Sequence, residues 1–338
     1  TRVFSACPMH YIVAFRKYFL PFAAFIIHNK IDNEIAVGTN VYSYEWHKLA
    51  LKLKQKGKHV IAGDFSNFDG SLNAQVLWSQ YLYIYLPWLR SWNHDLDVEK
   101  ITFGLWAHLV HSVHLCGNDV YMWTHSQPSG NPFTTLLNSF YNSIIMRLAW
   151  IGVFEEHLET NNAPFKCLKN DQPCYGDMKS FEENVSMISY GDDNILNISE
   201  NVIEVFNQIT ITNALSKLGH TYTDETKTGK LIAYRELKDV AFLKRGFRYE
   251  RDLCRYVAPL KIEVIYEMLN WTRRTGNPDE ILMTNIDVAS REIVLHGRDA
   301  YNEFVNKINS NVSKLPYRPL ILEYNVLLNM LKNNEQYI

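Results

Sequence analysis

The chain has 338 residues, of which 47% are hydrophobic and 21% charged, so it can form more than one domain and bury a core. This composition excludes a disordered chain, and a formal net charge of −2 gives no global basic field of the kind that marks many nucleic-acid-binding proteins. Five scattered cysteines without a C-x-x-C pair exclude a disulfide framework, and no Cys/His group has the spacing of a structural zinc site.

The first third of the chain predicts helices around one buried strand. Apolar periodicity predicts helices over residues 9–28, 44–55 and 72–86, and an apolar run predicts a strand over residues 59–63. Pro21 would kink or split the first helix, and Pro87 would end the third. The most apolar stretch, Tyr18–Ile27, has ten residues and is too short to span a bilayer.

The rest of the chain alternates strands, helices and segregated charge. The pattern predicts strands over residues 120–124, 185–189 and 195–198, a loop at 128–130, a helix over 134–150, and mostly helical structure from 258 onward. The two strands after 184 have the spacing of a hairpin. Residues 151–200 hold ten acids against three lysines, whereas residues 226–262 hold ten Lys and Arg against four acids. Charge is therefore balanced globally but segregated locally.

Two pairs of aspartates follow apolar runs. Asp64 comes directly after the predicted strand 59–63, and Asp69 lies five residues later, where the next helix is expected to begin. Asp192 and Asp193 lie at the tip of the predicted hairpin. Taken separately, these residues could be a helix cap and plain turn residues. Their joint occurrence after apolar strands favours a shared site.

Paired carboxylates at one site need a cation to neutralise them. Ligands that are all oxygen favour Mg²⁺ or Mn²⁺ over zinc. Two such ions about 4 Å apart would hold the attacking and leaving oxygens of an in-line phosphoryl transfer. The acid pairs therefore indicate metal-dependent phosphoryl transfer.

A third motif contains hydroxyl and amide side chains. Ser129 and Gly130 form a predicted loop, and Thr134 and Asn138 are four residues apart, so they share one face of the following helix. A hydroxyl and an amide suit a ribose, which offers both donors and acceptors. Taken alone, the motif is better explained as an ordinary helix N-terminus with a partly exposed polar face.

The order of these motifs is more specific than any one of them. The chain carries Asp64/Asp69, Ser129-Gly130/Thr134/Asn138, Gly191-Asp192-Asp193, Lys227 and Phe242-Leu-Lys-Arg245, in that order. This set resembles the RNA-dependent RNA polymerases of picornavirus-like positive-strand RNA viruses, nearest to those of insect-infecting dicistroviruses and iflaviruses. The resemblance covers nearly the whole chain, since Thr1-Arg2 is similar to the end of the basic fingers motif.

The resemblance implies an α+β right-hand polymerase fold with a palm made of an antiparallel sheet on helices, partial fingers and a helical thumb. It assigns residues 1–20 and 105–128 to fingers, 21–104 and 129–247 to palm, and 248–338 to thumb. The family has further fingers residues before the position of Thr1, so we expect this chain to be a catalytic core. Residues 150–184 exceed the family's usual connection and are expected to form a surface insertion.

The resemblance also implies a role for each motif residue. Asp64 and Asp192 would hold two Mg²⁺ or Mn²⁺ ions with help from Asp193. Asp69 and Asn138 would bind the ribose 2′-hydroxyl beside Ser129, Gly130 and Thr134. Arg2 would contact the triphosphate, and Lys227 would be the general acid that protonates the leaving pyrophosphate. The primer strand would be gripped by Phe242, Leu243, Lys244 and Arg245. For the basic stretch 226–262, a grip on the RNA backbone is favoured over a merely solvated face.

The predicted activity is therefore RNA-directed RNA synthesis. The implied partners are an RNA template-primer, nucleoside triphosphates and other viral replication proteins, with a viral protein primer left open and no transmembrane segment. The implied location is the host cytoplasm, at membrane-associated replication complexes. Two alternatives remain: a reverse transcriptase, which would need a steric block near the 2′ position where Asp69 and Asn138 stand, and a non-catalytic RNA-binding remnant.

Overall fold

The computed structural model describes residues 4–169, 171–226, 232–271, 276–312 and 319–333. It divides into two compact units, each described here by itself. The first unit comprises the described residues of 1–38 and 53–235, and the second comprises those of 39–52 and 236–338. The assignment of segments to fingers, palm and thumb stays a prediction.

Helices and strands alternate through most of the described chain. The helices are α1 (Met9–His28), α2 (Tyr44–Lys52), α3 (Phe68–Ser71), α4 (Ala74–Gln80), α5 (Leu86–Arg90), α6 (Leu96–Val110), α7 (Thr134–Asn161), α8 (Met178–Asn184), α9 (Gln208–Lys217), α10 (Ile262–Glu267), α11 (Pro278–Ile293), α12 (Arg298–Val312) and α13 (Tyr324–Lys332). The strands are β1 (His59–Ser66), β2 (Val113–Cys116), β3 (Asp119–Met122), β4 (Phe165–Lys166), β5 (Pro173–Cys174), β6 (Val185–Tyr190), β7 (Asp193–Ile198), β8 (Thr221–Asp224), β9 (Arg248–Glu250) and β10 (Arg255–Val257).

The centre of the first unit is a four-stranded antiparallel sheet with the strand order β6-β7-β1-β8. The predicted hairpin is confirmed as β6 and β7. The predicted strand 59–63 is too short, because β1 continues to Ser66 along β8, with Asp64 opposite Thr223 and Phe65 opposite Tyr222. Asp64 therefore lies within β1 and not at its end.

The helices of the first unit differ from their predictions at the prolines. Helix α1 is continuous through Pro21, so of the predicted kink or split, the split is wrong; Phe19 and Phe22 on either side of the proline are both buried in the core. Pro87 lies in the first turn of α5, where its missing N–H is not needed, so it does not end the helical stretch as predicted. A π-helical turn, Tyr81–Tyr85, joins α4 to α5.

The middle of the chain is also more regular than the sequence predicts. Strand β3 pairs with β2 in a hairpin whose first strand the sequence does not predict. Helix α7 continues to Asn161, eleven residues past the predicted end at Trp150, because Val153 and Phe154 extend its buried face. The expectation that residues 150–184 form only a surface insertion is wrong, since Phe154 and Phe181 belong to the core.

The second unit has its own core. Helix α2 ends at Lys52, three residues before its predicted end, and packs with the β9–β10 hairpin. Helices α10 to α13 confirm the mostly helical prediction from residue 258 onward within the described ranges. Their buried side chains include Ile265, Ile286, Phe304 and Leu327.

Helix α1 bears on the membrane prediction. By length and composition it is apolar enough to cross a membrane, and among the described residues it is the one helix that passes this test. The sequence argument that the apolar stretch is too short is therefore too strong. The core helix of a soluble protein passes the same test, and α1 packs Phe15, Phe19 and Phe22 into the core.

Candidate active site

Two of the three predicted metal ligands lie on neighbouring strands. Gly63 of β1 is paired with Asn194 of β7. Asp64 follows Gly63 and Asp193 precedes Asn194, so both aspartates lie one residue beyond the last pair of this ladder. Both side chains are half-buried.

The third predicted ligand, Asp192, lies in the turn of the β6–β7 hairpin. Tyr190 pairs with Asp193, so the turn consists of Gly191 and Asp192 alone. Gly191 has φ +64°, and Asp192 has a negative φ, a pattern that matches the type II′ turns of two-residue hairpins. A glycine is favoured at the first turn position because other residues rarely adopt a positive φ. The Asp192 side chain is consequently exposed at the tip.

Helix α7 holds this turn from below. The backbone N–H of Gly191 donates to Ser139 Oγ at 2.8 Å. The Asn142 side-chain amide Nδ2 donates to the carbonyl oxygens of Gly191 and Asp192, at 3.1 and 2.9 Å. Ser139 and Asn142 are fully buried. Side chains of α7 thus bind the N–H of Gly191 and the carbonyl groups of Gly191 and Asp192.

The same helix carries the predicted ribose-reading residues. Asn138 Nδ2 donates to Asp69 Oδ1 at 2.6 Å, and Ser129 Oγ donates to Asp69 Oδ2. Asn138 is 6% exposed, and its Oδ1 atom has no hydrogen-bond partner among the residues that the structure describes. Asp69, Ser129 and Asn138 therefore form one cluster that leaves a single amide oxygen unsatisfied.

The loop before α7 is tied to this cluster. Gln127 N and Ser126 Oγ both donate to the backbone carbonyl of Asp69, at 2.9 and 2.7 Å. Thr134 Oγ1 donates to Asn131 O at 3.0 Å and accepts from Gly130 N at 3.4 Å. The hydrogen bonds of Thr134 and Gly130 thus shape the loop itself.

The Phe242–Arg245 motif lies in the second unit and forms a tight hairpin. Phe242 and Arg245 exchange backbone hydrogen bonds of 2.9 and 3.0 Å. Leu243 and Lys244 have φ values of +53° and +63°, which matches a type I′ turn built without glycine. Lys244 is exposed, Phe242 is 2% exposed, and the Arg245 side chain is paired with Glu292 at 2.7 Å.

Two predicted site residues, Arg2 and Lys227, lie outside the described residues. Conversely, the sequence prediction missed Ser139 and Asn142, which hold the turn. A signal was present, because Thr134, Asn138 and Asn142 recur every four residues and form a polar stripe on an otherwise apolar helix.

No group of three or more His, Cys, Asp or Glu side chains gathers closely enough to enclose a metal ion within the described ranges. The side chains of Asp64, Asp192 and Asp193 are therefore not gathered into one such group. Mg²⁺ is commonly bound by one or two protein carboxylates with water and substrate phosphates completing its shell. Asp64, Asp192 and Asp193 supply oxygen ligands only, so they fit that ion and not a zinc site.

Comparison with known proteins identifies the family. The family model described as "Viral RNA-dependent RNA polymerase" matches residues 1–312. The chain is 54% identical over 338 residues to the replicase polyprotein of Drosophila C virus (strain EB) and 52% identical over 336 residues to that of cricket paralysis virus. Each match covers 97% of this chain, which spans 18% of either relative's length.

The fold also matches a solved polymerase. A Sicinivirus 3Dpol RNA-dependent RNA polymerase superposes with a TM-score of 0.73 at 18% sequence identity, over 96% of this chain and 61% of the other. This likeness confirms the predicted right-hand α+β fold. Together with the family model and the replicase relatives, it shows that the chain belongs to the viral RNA-dependent RNA polymerase family.

Proposed function

We propose that this chain is the catalytic core of an RNA-directed RNA polymerase, which adds nucleotides from nucleoside triphosphates to an RNA 3′ end on an RNA template during viral genome replication. One observation carries the proposal: α7 binds the Asp192 turn through Ser139 and Asn142, and binds Asp69 through Asn138. Because Asn138 and Ser139 are consecutive, the acidic site and the amide cluster share one rigid support.

The carboxylates would hold two Mg²⁺ or Mn²⁺ ions. Asp64 and Asp192 are the main ligands in this proposal, and Asp193 assists. When bound, the ions would supply charge neutralisation at the attacking 3′ oxygen and the leaving phosphate oxygen. The protein's own contribution is to keep the carboxylates on neighbouring strands and on a fixed turn, so catalysis rests on positioning and charge.

The amide cluster would select the sugar. Asn138 Nδ2 is already bonded to Asp69, so the atom left for a ribose is Asn138 Oδ1. A buried acceptor without a partner costs about 1–3 kcal/mol, which a 2′-hydroxyl donating to Oδ1 would recover. Asp69 then acts by orienting the amide, and Ser129 acts by orienting Asp69. A deoxyribose would leave Oδ1 unsatisfied.

The remaining assignments rest on the family resemblance. Arg2 would contact the triphosphate and Lys227 would protonate the leaving pyrophosphate; both lie outside the described residues. Lys244, at the exposed tip of its turn, would contact the primer backbone. The RNA template-primer, a viral protein primer, other replication proteins and a membrane-associated cytoplasmic location stay predictions.

The central test is Asp192→Asn. The assay uses the chain together with whatever flanking replicase sequence its gene encodes, and measures RNA primer extension in Mg²⁺ alongside RNA affinity. Asp192→Asn should abolish extension while leaving RNA affinity nearly unchanged, because affinity rests mainly on backbone phosphate contacts. The matched control is Asp171→Asn, which removes one exposed carboxylate paired with Lys166. Near-normal extension by Asp192→Asn would contradict the metal assignment.

The same assay separates the two alternatives. A reverse transcriptase would incorporate dNTPs on the same template at least as well as rNTPs. A non-catalytic remnant would bind the template-primer but extend it in neither wild type nor any variant. We expect rNTP incorporation in the wild type, since Asn138 presents a hydrogen-bond acceptor and not a bulky block.

A further inference from the structure

A buried chain of amide and hydroxyl groups continues beyond Asn142 beneath the hairpin. Tyr222 Oη donates to Asn194 Oδ1 at 2.6 Å, and Asn194 Nδ2 donates to Asn142 Oδ1 at 3.0 Å. Asn142 Nδ2 then donates to the carbonyl oxygens of Gly191 and Asp192. Tyr222, Asn194 and Asn142 are each 1% exposed or less. This hydrogen-bond chain therefore runs from Tyr222 of β8 through Asn194 of β7 to the turn, and its side chains are shielded from solvent.

Gly63 makes room for this chain. A Cβ atom built at Gly63 would lie 1.9 Å from Tyr222 Oη, so only glycine lets the tyrosine pass across β1 to reach Asn194. Gly63 immediately precedes Asp64 and is paired with Asn194. The same crossing point thus adjoins the strand that carries Asp64 and the strand that carries Asp193.

Each side chain in this hydrogen-bond chain has a fixed role as donor or acceptor. Burial raises the pKa of Tyr222 far above its ordinary value, so the phenol stays protonated and donates. Asn194 Oδ1 must then accept, which leaves its amide Nδ2 to donate to Asn142. Asn142 Nδ2 consequently faces the two turn carbonyls as a donor. Reversing any one amide would place two donors or two acceptors against each other.

We propose that Tyr222, Asn194 and Asn142 are positioning residues for the polymerase reaction, which fix the Gly191–Asp192 turn so that the Asp192 carboxylate is held in place before metal and nucleotide bind. This inference rests on the proposed function of the site. None of the three side chains needs to touch substrate. Their effect is to remove the turn's freedom in advance, which is the kind of preorganisation that catalysis by positioning requires.

Tyr222→Phe is the sharpest test because it removes one oxygen atom and keeps the ring. The matched control is Tyr81→Phe, which also removes a buried hydroxyl with two hydrogen bonds, to Glu99 O at 3.2 Å and Thr102 Oγ1 at 3.0 Å. We expect Tyr222→Phe to lower the single-turnover extension rate by about 10- to 100-fold, with the NTP KM and RNA affinity unchanged. Tyr81→Phe should keep the wild-type rate.

A second measurement does not depend on extension. Mn²⁺ binding, followed by electron paramagnetic resonance, should weaken several-fold in Tyr222→Phe and stay unchanged in Tyr81→Phe. Asn142→Asp replaces the donor by a carboxylate facing two carbonyl oxygens and should weaken Mn²⁺ binding further. Combining Asn142→Asp with Tyr222→Phe should add little, because both act through one chain.

The outcomes separate this inference from the proposed function. If wild type extends RNA and Asp192→Asn does not, but Tyr222→Phe keeps its rate and Mn²⁺ affinity, the positioning role is overturned and the function stands. Equal rate losses in Tyr222→Phe and Tyr81→Phe would overturn it too, by showing a general effect on packing. If wild type itself extends no RNA, the proposed function fails, and unchanged Mn²⁺ binding in Tyr222→Phe would still overturn the positioning role.

Discussion

Arg245 belongs to the predicted primer grip, yet its hydrogen bonds predict a large effect on stability when it is removed. Its guanidinium makes two bonds to the Glu292 carboxylate, at 2.9 and 2.7 Å, and further bonds of 2.8 Å to Tyr42 Oη and to Ala258 O. Tyr42 also donates to Glu292. The Arg245 and Glu292 side chains are 12% and 2% exposed, so solvent hardly reaches the pair.

The groups that remain after Arg245→Met determine the size of the loss. Burial opposes the charge on Arg245, but its bonds to Glu292 raise its pKa, so the guanidinium stays charged. Without the guanidinium, the buried Glu292 carboxylate loses both Arg245 bonds and keeps the Tyr42 donor. Leaving one partner of a buried ion pair uncompensated costs about 3–5 kcal/mol. We expect a loss of that size for Arg245→Met.

The double variant makes the argument quantitative. Replacing both partners by apolar side chains, as in Arg245→Met with Glu292→Leu, is often neutral or stabilising, so it should recover most of the loss. The assay is hydrogen exchange in increasing urea, which gives the free energy of opening for peptides of the second unit. Peptides from β6 and β7 in the first unit are the internal control.

Two results would refute this reasoning. A loss below about 1 kcal/mol in Arg245→Met would mean that the pair behaves as an exposed surface pair. A double variant as unstable as the single one would mean that Arg245 acts through packing or the Ala258 bond and not through Glu292. Arg245→Lys should not restore the wild-type stability of the second unit, because an ammonium cannot make the bidentate contact.

Four further predictions concern single side chains. Asn138→Ala should lower the rNTP-over-dNTP ratio of kcat/KM at least tenfold, chiefly through loss of rNTP use, out of a possible discrimination of about 10⁴–10⁵. Lys227→Leu should slow single-turnover addition at least tenfold, within the range of about 10²–10⁴ typical of general acids, while NTP affinity is kept. Lys244→Ala should reduce the slope of log RNA affinity against log salt by about 1 without changing stability. Burial lowers the pKa of His220, so the unfolded chain binds more protons than the folded one once the pH falls below about 6.5. Stability should therefore decline from that pH until the folded pKa is reached. His220→Gln should flatten this decline in urea midpoints measured from pH 7.5 to 5.5.

Each of the four has a contrary outcome. Equal losses for rNTP and dNTP would leave Asn138 with a structural role alone. A change in NTP affinity without a change in rate would make Lys227 a binding residue. An unchanged salt slope would remove Lys244 from the RNA contacts, and an unchanged pH dependence in His220→Gln would assign the acid sensitivity to other groups.

The sequence predicts well wherever one feature is local and strongly patterned. The β6–β7 hairpin follows from two apolar runs around Gly191 and Asp192, and α1 follows from its helical period. The family follows from the fixed order of short motifs. These features do not depend on distant contacts, so the local sequence determines them.

Element boundaries are less predictable because distant partners determine them. Strand β1 runs past Gly63 since β8, about 160 residues later, pairs with Asp64 and Phe65. Helix α7 runs past Trp150 since Phe154 and Phe181 both pack against the Trp150 ring in a core that the local pattern does not reveal. In both cases a local stop signal is absent, and tertiary pairing decides where the element ends.

The role of the neutral side chains is hard to predict from sequence, for a chemical reason. Charged residues beside apolar strands indicate a site because burying them is costly without a partner, so Asp64 and Asp192 can be recognised from the sequence alone. An amide carries no net charge and is common in caps and turns, so Asn142 and Asn194 look ordinary until their partners are known. In the folded protein these amides fix the direction of hydrogen bonds. Each amide both donates and accepts, so a buried series of them has one arrangement in which every group is satisfied. A polar stripe that recurs every four residues along an apolar helix, as Asn138 and Asn142 do, is therefore a sequence signal for a support beneath charged ligands.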